Sequence, residues 1–409
     1  MKIAFLILLV GLTASAGSLG TNHIESLTLD QALERAERLQ PGLAEAKALV
    51  EAAEGRAQQA GLIPNPEGIA RIEQAPFKGR TLGEAEYLAG IAQPVPLGGR
   101  LGKAREAEQL ERDRRMKELD VKRRELRKRV QSAFATALYQ DKAFQTQSEL
   151  VAGAEKAAAT VKARMDAGDA LREDLARAEM ELARAKVERQ RASSLRERAM
   201  VALAGAIGDA TLTVKSLEGS LDATFEIPAL ESLAAGLAQQ PEMALADADI
   251  RARNARLDLA KAERVPDVRV ELLYRRLEAS KENTFDAGLS MPLPLFDRNQ
   301  GRLREARAEV AAAEARSRST RNELAFRLRE AHAALTAALA NSRALKTEIL
   351  PRADTVLKSA EARYAAGDTG LGEVLPVRRD WAAVQLTYLE SLRDVMQAWG
   401  DLQVFGNMR

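Results

Sequence analysis

The sequence predicts a mainly α-helical protein with a small β part, built as two copies of one plan. Three observations carry this. The composition is rich in Ala, Leu, Glu and Arg, with 4% aromatic and 29% charged residues, the signature of long helices or coiled coil. Each half contains a pair of stretches that alternate apolar and polar residues, which read as strands. A proline pair also recurs: Pro94, Pro96 and Arg100 return as Pro292, Pro294 and Arg298, each 198 residues on. Two such joins at one spacing indicate an internal duplication.

Residues 1–16 read as a secretory signal. Lys2 precedes an apolar run from Ile3 to Leu12, and Ala14-Ser15-Ala16 forms the cleavage site. The run is too short for a spanning helix, which needs about 20 apolar residues, and charges interrupt every later stretch. The chain has no cysteine, which excludes disulfides, thiolate metal sites and a lipidated cysteine. A formal net charge of +2 gives no global field favouring nucleic acid.

The first repeat spans 17–207. Thr28 or Asp30 caps a helix containing Leu33 and Ala36, Gln40-Pro41 interrupts it, and helix resumes to about Leu62. A β-hairpin follows over 67–94. Ile69 to Glu73 forms one arm, the turn falls over Pro76 to Gly79, and Tyr87, Ala89 and Ile91 oppose Leu88 and Gly90. Pro94 and Pro96 then force a join, because proline lacks an N–H and fits neither a helix interior nor a central strand. A helix over 100–166 would be roughly 100 Å long. Gly168 reverses the chain as a left-handed C-cap, and a return helix covers 171–206. Val151, Ala158, Val161 and Met165 face Leu171, Leu175, Ala178 and Leu182 in a coiled-coil seam.

Residues 208–228 form a polar, β-prone equatorial connector, read as a belt around the rods. The second repeat, 229–409, repeats the grammar. Gln240-Pro241 breaks a helix, and a β-hairpin over 267–292 follows. Val268, Val270, Leu272 and Tyr274 share one face; Arg269, Glu271, Leu273 and Arg275 share the other. After a turn at Lys281 to Asn283, Phe285, Ala287, Leu289 and Met291 alternate with Asp286, Gly288 and Ser290. Pro292 and Pro294 make the join, a long helix covers 298–366 with a break only at Pro351, Gly367 reverses it, and 371–404 returns. Leu324, Leu328, Ala331 and Leu335 form one seam; Val374, Val377, Trp381 and Val384 form another.

Four amphipathic strands cannot enclose a lumen, and open strand edges do not persist in lipid. Several copies completing one ring remove the edges, with closed symmetry; three copies give twelve strands and a wide pore. The helical hairpins, sharing the axis, would line a tunnel.

With these joins, reversals and their order along the chain, the sequence resembles the TolC-like outer membrane efflux family, the channels of tripartite heavy-metal and multidrug pumps. The resemblance covers essentially the whole mature chain. It implies a homotrimer with a twelve-stranded barrel in outer-membrane lipid and a helical tunnel in the periplasm. It also implies a periplasmic adaptor and an inner-membrane RND-type pump as partners, with no reaction catalysed. The implied function is a passive exit duct for small solutes, metal cations or drugs. A periplasmic coiled-coil scaffold without a pore, and a duct for protein secretion, are the alternatives.

The resemblance further implies a periplasmic gate at the hairpin reversals. Glu373, six residues after Gly367, falls where the family often carries an aperture carboxylate, while Pro376 stands where a second acid can sit. Asp174, six after Gly168, matches a tethering acid, and Tyr364 its tyrosine partner. Thr369 replaces a tethering arginine. Asp169 and Asp368 complete the two reversals. The alternative reading of Glu373 and Asp174 is first-turn acids favoured by the helix dipole.

Other features read as structural. Arg112 to Arg129 is basic, but Glu118, Asp120 and Glu125 interleave and no aromatic is present for base stacking, so a solvated helix face is expected and no nucleic acid. His23 and His332 stand alone, with no metal-ligand spacing. Trp381 and Trp399 are packing residues, and Tyr87, Tyr274 and Phe285 suit membrane-interface girdles. No catalytic constellation, cofactor motif or metal site is present by spacing.

Overall fold

A computed structural model of the chain describes residues 22–75, 84–222 and 225–406. The signal expected at 1–16 and the turn expected over Pro76 to Gly79 lie outside these residues.

The described residues open with a strand the sequence did not announce, β1 (Asn22–Thr28), followed directly by α1 (Leu29–Leu39). Thr28 supplies the cap. Its Oγ1 accepts from the Gln31 N–H at 3.3 Å, and its own N–H donates to Gln31 Oε1 at 3.1 Å. That reciprocal box leaves Asp30 inside the first turn. Pro41 opens α2 (Pro41–Ala60), where its missing N–H costs nothing. β1 pairs in parallel with β4 (Leu212–Glu218), within the stretch read as a connector.

Four further strands form one antiparallel sheet. They are β2 (Glu67–Glu73), β3 (Glu86–Val95), β5 (Val268–Leu277) and β6 (Glu282–Ser290), in the order β2-β3-β5-β6. The register sets Leu88 opposite Arg275, and Tyr274 opposite both Ala89 and Phe285. Among the described residues β2 and β6 are therefore the edges, each paired on one side only.

One proline departs from expectation. Pro94 lies within β3, opposite Arg269 of β5, although β3 is a central strand. The reason is local. Pairing with β2 begins at Ala92, so at Pro94 the other side of β3 has no ladder to donate to. An edge-like position tolerates the missing N–H. Pro96, Pro292 and Pro294 lie outside the strands.

The helices are α3 (Arg100–Asp166), α4 (Arg172–Ile207), α5 (Leu230–Ala235), α6 (Pro241–Ala262), α7 (Gln300–Ala344), α8 (Leu350–Ala366) and α9 (Leu371–Gln403). α3 is unbroken over 67 residues. Its counterpart is not: Leu345–Ile349 forms a π-helical turn between α7 and α8, and Pro351 lies in the first turn of α8. The interruption begins before the proline. Arg100 to Gly168 is a step of 68 and Arg298 to Gly367 a step of 69, so the second copy carries one extra residue. A π-turn is how a continuous helix absorbs one residue without rotating the turns beyond it.

Packing divides the chain into two compact units, and both draw on both repeats. One comprises Met1–Leu39, Val130–Asp222 and Ile349–Arg393; the other comprises Gln40–Arg129, Ala223–Glu348 and Asp394–Arg409. In the second unit, the expected seam Leu324, Leu328, Ala331 and Leu335 is buried against Met243, Val395, Leu402 and Phe405. Trp399 stacks on Phe225 with ring centroids 4.5 Å apart. In the first unit, Ala158, Val161 and Ala178 form a core with Leu371 and Leu375. Leu371 belongs to the second hairpin, so the two hairpins share this core. Leu171, expected in the seam, is exposed.

Candidate functional site

The sheet presents two unlike faces. Because side chains alternate along a strand, Ile72, Ile91, Val270, Leu272, Tyr274, Phe285 and Leu289 share one face, and all are exposed. Phe285 and Leu289 are each 75% exposed. Leaving such side chains in water forgoes about 1.5–3 kcal/mol apiece. Tyr274 and Phe285 meet edge-to-face at 5.7 Å, and the Tyr274 hydroxyl donates to Asn283 Oδ1 at 2.8 Å. An aromatic pair with a polar tip is the chemistry of a membrane boundary.

The opposite face is charged and internally paired. Arg275 reaches Asp286 at 2.6 Å, Glu73 at 3.4 Å, and Glu86. Arg269 bridges Glu67 at 2.6 Å and Glu271 at 2.7 Å. The first network links all four strands and the second links β2 to β5; neither was legible as pairs, since the partners lie up to 202 residues apart.

Both joins use the left-handed conformation, at Gly98 and Gly99 in the first and at Asn299 in the second. Gly98 has φ of +66°, and a Cβ there would lie 2.9 Å from Val265 Cβ, so both backbone and space demand glycine. In the second join Asn299 has φ of +59°, and its amide donates to the Ala260 carbonyl at 2.8 Å. Arg100 pairs with Asp267 at 2.7 Å.

Both reversals use one device. Gly168 and Gly367 have φ of +86° and +81°. The Asp169 N–H donates to the Arg164 carbonyl at 2.8 Å, and the Asp368 N–H to the Arg363 carbonyl at 2.9 Å, the hydrogen bonds of a Schellman motif. Asp174 turns back on its own helix, accepting from the Leu171 N–H at 3.4 Å. It shares no hydrogen bond with Tyr364 among the described residues. Tyr364 instead packs on the Ala158–Leu371 core, with the Arg164 guanidinium 5.9 Å from its ring centre. Glu373 lies exposed, 3.7 Å from Arg363. Pro376 sits inside α9, and Thr369 Oγ1 is buried with no partner.

One tie was missed. Glu181 of α4, with its side chain 14% exposed, pairs with Arg379 of α9 at 3.5 Å and joins the two hairpins. Nothing in the spacing announces it, because the residues meet only once the hairpins pack. Arg378 pairs beside it with Glu361 at 2.7 Å.

Among the described residues no group of three His, Cys, Asp or Glu is gathered to hold a metal, and no helix is long and apolar enough to cross a membrane. The His332 ring nitrogen Nε2 lies 3.3 Å from the Pro228 carbonyl. The Trp381 indole donates to Asp354 Oδ1 at 2.5 Å.

A duplicated chain of long helical hairpins, carrying a sheet with one lipid-compatible face and one charged face, defines the architecture of an outer-membrane efflux channel subunit. The chain belongs to the outer membrane efflux protein family, which matches residues 29–209 and 233–405. That membership assigns it to the outer membrane and to efflux, in a family of transport channels rather than enzymes. It is 28% identical over 372 residues to the cobalt-zinc-cadmium resistance protein CzcC of Cupriavidus metallidurans, covering 91% of this chain and 88% of that one. It is 27% identical over 306 residues to the nickel-cobalt-cadmium resistance protein NccC of Alcaligenes xylosoxydans xylosoxydans, covering 73% and 67%. A membrane protein from Pseudomonas aeruginosa shares the fold, with a TM-score of 0.78 at 21% identity over 92% of each chain. CusC does so with a TM-score of 0.76 at 18% identity, again over 92% of each.

Proposed function

We propose that this chain is the passive exit duct of a tripartite metal-efflux system, working as a homotrimer with a periplasmic adaptor and an inner-membrane RND-type pump. It needs no catalytic residue or cofactor of its own. The observation that carries the reading is the two-faced sheet with open edges, an arrangement that only a closed ring in lipid satisfies. Resistance to cobalt, zinc, cadmium and nickel in the names of CzcC and NccC supports divalent cations as cargo. A duct should lack tight metal ligands, because strong binding prevents exit. On this reading 1–16 is a signal, 17–207 and 229–409 are the repeats, and 208–228 is the connector.

We assign the periplasmic gate to the hairpin reversals, with Glu373 at the aperture and Asp169, Asp174, Tyr364 and Asp368 around it. Glu373 is the strongest member, being exposed, acidic and, among the described residues, held by one long ion pair to Arg363. Single-channel recording in planar bilayers tests it. Glu373→Ala should weaken block by divalent cations from the periplasmic side severalfold. Unchanged block would remove Glu373 from the aperture.

A further inference from the structure

One member of the charged face stands outside its networks. Arg71 of β2 is exposed, and its guanidinium meets no acceptor among the described residues. The carboxylates nearest to it by register, Glu73 on its own strand and Glu86 across from Glu73, are both drawn to Arg275. At the opposite edge, β6 carries a notch. Gly288 faces Glu271 and lies two residues from Asp286, so all three share the charged face. Arg269 binds Glu271 through Oε1 at 2.7 Å, and Arg275 binds Asp286 through Oδ2 at 2.6 Å. Glu271 Oε2 and Asp286 Oδ1 meet no donor among the described residues. Nothing within the chain calls for glycine between them. A Cβ at Gly288 would lie 3.7 Å from Glu271 Cβ, an ordinary contact, and its φ is not positive. A strand glycine without such a cause marks the close approach of another group.

A second copy of the chain brings what the notch lacks. Three antiparallel pairings separate β2 from β6, so the two edges run antiparallel to each other. A neighbour's β2 therefore continues the alternation at β6, head to tail, and such contacts close a ring. The register of that seam must slip by an even number of residues, or the apolar and charged faces would exchange. It must also tilt the strands. In line with the rows of one copy, Arg71 would meet Thr284, with no slip and no tilt. A slip of about four residues per copy, in a ring of three, raises the strands by about 40 Å over roughly 58 Å across the ring's strands. That is a tilt of about 35°, at the usual value for barrels, whereas a slip of about two gives only about 19°. Slipped by four toward the exit of β6, the neighbour's Arg71 meets Gly288, and 69–73 overlap 286–290. Slipped the other way, only 67–69 and 282–284 overlap. A longer slip sets Arg71 opposite Ser290, beside Arg269, which repels it.

We propose that Arg71 of each copy seats over Gly288 of its neighbour, with the guanidinium between Glu271 Oε2 and Asp286 Oδ1. This seating rests on the reading that the strands close a ring of three in lipid, and it adds the register of the seam and the residues that set it. The same register brings the neighbour's Glu73 opposite Asp286. Like charges directly opposite destabilise a sheet, and Arg71, two residues from Glu73, is the cation that offsets them.

Thiol cross-linking of the full-length, detergent-solubilised assembly tests the register, because the chain has no cysteine of its own. Ile69→Cys/Ser290→Cys places the two thiols opposite each other across the seam and leaves Arg71 and the notch intact. A short bis-maleimide should join this variant into covalent dimers and trimers, and should leave Ile69→Cys/Thr284→Cys as single chains. Arg71→Glu should lose its detergent-resistant assembly at a temperature where wild type keeps it. Cross-linking at Thr284, cross-linking at neither position, or an Arg71→Glu assembly as heat-resistant as wild type would each overturn the seating. Conductance of wild type is recorded in parallel. A conducting wild type with the wrong cross-link sinks the seam alone, whereas a wild type that neither assembles nor conducts sinks the channel reading.

Discussion

Glu111 is 5% exposed on α3, and its carboxylate is surrounded by guanidinium groups. Arg114 reaches it at 2.7 Å, Arg256 at 3.3 Å and Arg115 at 3.4 Å. Burial pushes this carboxyl up, but the hydrogen bond from Arg114 and the charges of Arg114, Arg256 and Arg115 outweigh it, and hold the group below its ordinary value. A depressed carboxylate stabilises the fold above its unfolded pKa, and loses that contribution as pH falls through the folded value. Glu111→Gln should therefore destabilise the protein at neutral pH by about 2 kcal/mol. The gap from wild type should close as pH drops below about 4. Thermal unfolding followed by circular dichroism across pH 3 to 7 checks this, and a pH-independent gap would assign the loss to packing. At this scale little of the site was legible. Glu373 and Asp174 are visible as first-turn acids, yet their partners depend on which hairpin faces share a core. Asp174 goes to its own N-terminus and Tyr364 to Arg164.

Periodicity carries elements better than pairs. The second hairpin was readable because Val268, Val270, Leu272 and Tyr274 alternate with a largely charged set, Arg269, Glu271, Leu273 and Arg275, and the first by its weaker alternation at Tyr87, Ala89 and Ile91. The seam at Leu324, Leu328, Ala331 and Leu335 was readable because it steps by four and three. β1 was not, since Asn22–Thr28 has little alternation and its partner β4 lies far along the chain. Pro351 advertised a break in the second rod, but the π-turn at Leu345–Ile349 has no residue signature. Only the one-residue excess over the first repeat betrays it. If the π-turn absorbs that residue, deleting Lys346 should restore a regular helix and leave the heat-stable assembly intact. Deleting a residue from the unbroken α3, such as Lys142, should rotate the seam beyond it by about 100° and abolish assembly. Semi-denaturing gels with and without heating distinguish the two. Equal damage from both deletions would show that the π-turn serves another purpose.

The whole molecule is organised by what one copy lacks. Among the described residues its sheet has no strand paired beyond either edge, its apolar face is exposed, and its charged face is satisfied internally by Arg269 and Arg275. The four amphipathic strands were legible in the sequence, and the structure gathers them into one sheet. The interleaving of the repeats into two packed units was not, because α3 is long enough to contribute to both. The most direct test joins mass to conductance. The purified full-length chain, extracted from outer membranes in detergent, is sized by light scattering and then reconstituted into planar bilayers. The expected result is a particle of three copies with steady, ohmic ion conductance. A water-soluble single copy that never conducts would contradict it.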